Sequence, residues 1–84
     1  MTVLAKTADY LAEFESGMLS IARRSDGHCV AMRAPRLSAD FRACIKAHGA
    51  DRTIATYIKI GERLGGWKPL YKASAMPRLL GETA

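Results

Sequence analysis

From Thr2 to Ser16, Val3, Thr7, Tyr10, Leu11 and Phe14 recur at the i, i+3/i+4, i+7 spacing of a helix with one buried stripe. Gly17 follows where such a helix takes a left-handed C-cap, so the spacing predicts an N-terminal helix, although Thr2-Val3-Leu4 also suits a short opening strand. Beyond Met18 the period falls to two. Leu19 and Ile21 alternate with Ser20 and Ala22, and His28, Val30 and Met32 with Cys29, Ala31 and Arg33. Between the two runs, Asp26-Gly27 is a turn signal, because glycine readily takes positive φ. Pro35 ends the second run, since it lacks the N–H a ladder needs. The pattern predicts a β-hairpin here.

Helical spacing then returns. Ser38 is a good N-cap residue and Asp40 suits the positive end of the first turn. Leu37, Phe41, Cys44, Ile45 and His48 share one face, Arg42 and Lys46 point away from it, and Gly49 closes the helix. Asp51 is placed as the cap of a second helix running to Leu64, with Gly65-Gly66 as its stop. Trp67 to Lys72 is short and aromatic and reads as a strand-like segment; a third strand beside the hairpin, or a hairpin from a second subunit, would relieve the marginal stability of two strands alone. Ala73 to Ala84 reads as a loose tail. The expected architecture is a small α+β single domain over residues 1–72, ordered as N-terminal helix, β-hairpin, helical hairpin and short C-terminal strand-like segment. Its expected core is Leu11, Phe14, Leu19, Ile21, Val30, Phe41, Ile45, Ile54, Ile58 and Leu64.

The second helix segregates its side chains sharply. With Ile54 at 0°, Tyr57, Ile58, Gly61 and Leu64 fall at about 300°, 40°, 340° and 280°, whereas Arg52, Thr56, Lys59 and Arg63 fall at about 160°, 200°, 140° and 180°. A stripe of three cations and a hydroxyl therefore opposes the apolar stripe. The run from His48 to Lys59 resembles the turn and second helix of helix-turn-helix DNA-binding proteins, with Gly49 in the turn, Asp51 as cap, and Ala55 and Ile58 at the two apolar positions. The resemblance covers about a quarter of the chain and departs from the pattern at Ile45, where the family has a small residue. It implies that Arg52, Thr53, Thr56 and Lys59 face the major groove and that Arg42, Lys46 and Arg63 meet phosphates. An ordinary helical hairpin with a hydrated charged face accounts for the same residues. A ribbon–helix–helix dimer is the other hairpin-plus-helix arrangement, but Ser38–His48 is short for its first helix.

Charge adds to this picture. The 84 residues hold 13 bases and 8 acids, a net charge of +5. Residues 1–22 carry one base and three acids, a net −2, and residues 23–84 carry twelve bases and five acids, a net +7. Such asymmetry suits a polyanionic partner, either nucleic acid or an acidic protein surface, and equally a solubilising surface. Arg23 and Arg24 at the hairpin turn, with Arg33 and Arg36 at the strand end, form a secondary basic group. Trp67 and Tyr71, flanked by Lys68 and Lys72, have the aromatic–basic interleaving of single-strand binders, and equally the composition of a core closure.

Enzymatic and metal chemistry find less support. Cys44 and His48 stand i, i+4 on one helical face, but His28 and Cys29 are strand neighbours pointing to opposite sides, so at most three ligands converge and no closed zinc site is expected. Cys–His pairs drawn between Cys44 and His28, or Cys29 and His48, lack a third orienting residue. No paired carboxylates or phosphate loop stand at recognisable spacing. No apolar run approaches the ~20 residues of a membrane span, and the amino terminus does not read as a signal peptide, so a cytoplasmic protein is expected. The sequence thus favours a basic binding protein without catalysis, cofactor or metal, and its hairpin leaves room for a second subunit in a homodimer. The first expectation is DNA binding through a basic helix. The alternative is a protein-binding inhibitor of the phage-encoded, anti-CRISPR kind that blocks a nucleic-acid-processing complex; that likeness is one of size and of the absence of catalytic motifs.

Overall fold

A computed structural model of the chain describes residues 2–69. It is an α+β domain with its strands first: β1 (Thr2–Lys6), β2 (Tyr10–Glu15), β3 (Met18–Arg23) and β4 (His28–Arg33), then α1 (Leu37–His48), α2 (Ala50–Leu64) and a two-residue β5 (Lys68–Pro69). The five strands form one antiparallel sheet in the order β1-β2-β3-β4-β5. Residues 70–72 of the expected strand-like segment, and the expected tail 73–84, lie outside the described residues.

The expected N-terminal helix is overturned: the same residues form β1 and β2. Spacing of three and four at Val3, Thr7, Tyr10 and Phe14 coexists with a spacing of two at Tyr10, Ala12 and Phe14, and the sheet satisfies the second. Ala12 pairs with Ala5 on one side and Ile21 on the other, and Phe14 pairs with Thr2 and Leu19. A turn at Thr7-Ala8-Asp9 separates the strands; the Tyr10 N–H donates to Thr7 Oγ1 at 3.1 Å and the Thr7 N–H to the Tyr10 carbonyl at 2.9 Å. Gly17 does adopt positive φ, but as a hairpin residue. Ser16 at φ 52° and Gly17 at φ 80° make the two-residue link from β2 to β3, where a type I′ turn needs positive φ at both positions. Good helix formers such as Leu, Ala and Glu yield here because strand pairing buries one face of the segment against the rest of the chain.

The β3–β4 hairpin lies where the alternation places it, with Ile21 paired to Val30 and Leu19 to Met32. Those residues and Ala12 face the helices, and with Leu37, Phe41, Ile54 and Ile58 they make the main core. Phe14, Ile45 and Tyr57 pack against it half-buried, and the Phe41 and Tyr57 rings meet edge-on with centroids 4.9 Å apart. Burying each large apolar side chain of this kind is worth about 1.5–3 kcal/mol. The opposite sheet face holds a small second cluster of Leu11, Ala22 and Cys29. Leu64, expected in the core, is 66 % exposed, at the margin of the buried stripe beyond half-buried Tyr57.

Both helix starts differ from expectation. The residue before α1 is Arg36, in the left-handed region at φ 61°, so Ser38 lies inside the first turn rather than capping it. Gly49 alone links the helices and precedes α2, which places Asp51 in the first turn of α2 without a capping hydrogen bond.

Candidate nucleic-acid interface

Helix α2 rests on the sheet through Ile54, Ile58 and Gly61, all buried. A helix presents residues about half a turn away on its far side. Arg52, Thr56, Lys59 and Arg63 accordingly stand exposed in one ridge facing away from the sheet. Among the described residues no hydrogen bond or ion pair engages Arg52, Lys59 or Arg63. The two acids of α2, Asp51 and Glu62, lie off this ridge. Both line a groove of about 810 Å³ between α2 and the β1–β2 turn, whose floor includes Tyr10, Ile54, Ala55 and Ile58. Lys59 leans to the same side and forms part of the groove wall.

Thr53, which the helix-turn-helix resemblance turns outward, is 0 % exposed. It is turned into the interior beside Ile54, and among the described residues its hydroxyl has no hydrogen-bond partner. It cannot reach a partner in this fold. Arg42 and Lys46 are exposed on α1, about 100° and 140° round that helix from buried Phe41, on the side away from the seam with α2. They do not extend the α2 ridge.

At the seam itself, Cys44 and His48 of α1 meet Arg52 and Thr56 of α2 around a notch of about 170 Å³. The i, i+4 spacing of Cys44 and His48 is legible in the sequence, but its pairing with Arg52 and Thr56 needs the angle at Gly49. Among the described residues no three His, Cys, Asp or Glu side chains gather as a metal site. Cys29 lies across the sheet in the second cluster, where burial pushes its thiol pKa up. His28 begins β4, with Nδ1 3.4 Å from Asp26 Oδ2.

The secondary basic group is divided, and Arg23, Arg24 and Arg33 are occupied. Arg23 and Arg24 lie at one end of the β3–β4 hairpin, and Arg33 and Arg36 lie near the other end of β4. Arg23 holds Asp26 with contacts of 3.1, 3.1 and 2.6 Å. That guanidinium also lies 4.4 Å above the Trp67 ring. Its pairing, with the His28 N–H donating to the same carboxylate, holds Asp26 far below the ordinary carboxylate range. Arg24 donates to the Thr7 carbonyl at 2.7 Å, and Arg33 to the Ser16 carbonyl at 2.9 Å. These three arginines tie turns together. Trp67 is likewise engaged: Arg23 covers one ring face, and the indole N–H donates to Glu62 at 2.8 Å.

The fold defines a class, an antiparallel meander carrying a helical pair on one face. No family model, curated protein or solved structure matches the chain. Among the described residues no helix is long and apolar enough to cross a membrane.

Proposed function

We propose that this is a small, basic, non-enzymatic nucleic-acid-binding protein that lays the outer ridge of α2 against duplex DNA. The observation that carries this reading is the charge segregation of α2: Arg52, Thr56, Lys59 and Arg63 form an exposed ridge whose cations have no acidic partner among the described residues, while Asp51 and Glu62 line the groove beside it. Free guanidinium and ammonium groups aligned along one helix supply phosphate contacts and displace condensed counterions. The reading keeps the second helix as the contacting element, as the helix-turn-helix resemblance has it, and omits Thr53.

The test is a salt titration of binding to mixed-sequence duplex and single-stranded DNA. Several phosphate contacts make affinity fall by orders of magnitude between about 50 and 200 mM salt. Absence of binding at the lowest salt would overturn the proposal.

A protein partner is the second reading, favoured by the groove between α2 and the β1–β2 turn. Its floor of Tyr10, Ile54, Ala55 and Ile58 suits apolar side chains, and Asp9, Asp51 and Glu62 suit a basic rim. An inhibitor acting this way would lose binding on substitution at Ala55 and keep it on charge reversal of Arg63.

A further inference from the structure

The notch at the helix seam is lined by Cys44, His48, Arg52 and Thr56. We propose that it is a binding site for one phosphate group, and that it seats a backbone phosphate of the nucleic acid on α2; the second part rests on the function proposed above.

The chemistry of the lining favours an oxyanion. Arg52 offers the forked donors that match phosphate oxygens, Thr56 a hydroxyl, and His48 a ring N–H in either charge state. Cys44 adds a weak S–H donor. Among the described residues no carboxylate lines the notch. This matters because Asp51 precedes Arg52 in the chain and would repel an anion there. The helix separates them: Asp51 lines the groove toward the β1–β2 turn with Asp9 and Glu62, and Arg52 lines the seam toward α1. At about 170 Å³ the notch has space for several waters of about 30 Å³ each, hence for a tetrahedral oxyanion with part of its hydration. It also adjoins the proposed contact face, since Arg52 and Thr56 belong to both, so a nucleic-acid strand following the ridge passes its mouth.

The experiment titrates inorganic phosphate into the isotopically labelled full chain at constant ionic strength, with chloride as control, and follows the His48 ring, Arg52 Nε–H and Thr56 resonances. Saturable shifts at these groups, absent at Asp51 and Ile58, are the expected result. Arg52→Gln and His48→Ala should each weaken the phosphate response at least tenfold, while Lys59→Gln leaves it unchanged. In duplex binding, Arg52→Gln should lower the slope of log affinity against log salt by about one. A duplex that binds with a steep salt slope while phosphate leaves the notch unshifted overturns the site and spares the nucleic-acid reading. Saturable phosphate binding without DNA binding keeps the phosphate site and overturns its assignment to a nucleic-acid backbone.

Discussion

Gly61 lies directly over Val30: a Cβ built at Gly61 would come within 2.7 Å of Val30 Cβ and 2.9 Å of its Cγ2. Helix α2 and strand β4 approach so closely here that no side chain fits between them. Met32 Cε, at 3.1 Å, closes the other side. This crossing sets how α2 sits on the sheet, and with it the direction of the Arg52–Arg63 ridge. Gly61→Ala should therefore destabilise the fold by about 1–3 kcal/mol, the usual cost of overpacking, although alanine gains up to about 1 kcal/mol in helix propensity. Urea unfolding followed by circular dichroism measures the difference; a more stable variant would show that the crossing is loose.

The Thr53 hydroxyl is buried without a partner among the described residues. Thr53→Val removes that polar atom and keeps the shape, so stability should rise by about 1 kcal/mol. DNA affinity should not change, in contrast to the outward role implied by the helix-turn-helix resemblance. Thermal melts and binding isotherms of the same variant check both.

Lys59→Glu together with Arg63→Glu should abolish DNA binding at moderate salt. Both side chains are exposed, so the circular dichroism spectrum should stay unchanged. Retained affinity would remove the ridge from the interface.

Asp26 is ionised far more readily in the folded chain than at its ordinary 3.8, because Arg23 and the His28 N–H hold its charged form. A depressed folded pKa gives stability that is present above the unfolded value and lost as pH falls through the folded one. The melting temperature of the wild type should therefore decline more steeply below pH 3.8 than that of Asp26→Asn, which lacks the titrating group. Parallel acid limbs would show that the pair contributes nothing to stability.

Ser16 occupies the left-handed region at φ 52° in the β2–β3 turn. Ser16→Gly should stabilise the domain by about 0.5–1 kcal/mol, since glycine takes that conformation without the steric cost a Cβ incurs. A melt of the variant measures the difference, and an unchanged or lower melting temperature would show that Ser16 bears no strain in this turn.

Much of the molecule can be read from spacing alone. Alternation through Leu19, Ile21, Val30 and Met32 and the Asp26-Gly27 turn determine the central hairpin, and the segregated faces of α2 place Ile54 and Ile58 inside and Arg52, Lys59 and Arg63 outside. These are local properties: each depends on the period of a single element and on which face meets water. The N-terminal segment is different. Tyr10 and Phe14 fit both periods, and the choice is made by partners distant in sequence, with Ala12 against Ile21 and Phe14 against Leu19. Tertiary structure also decided that Thr53 faces inward, that Arg23, Arg24 and Arg33 are spent on turns, and that Cys44 and His48 face Arg52 and Thr56. A helical period fixes the angle between residues on one helix, but the direction of its buried stripe and the neighbours across a seam depend on how elements cross. Here that crossing is governed by the missing side chain at Gly61.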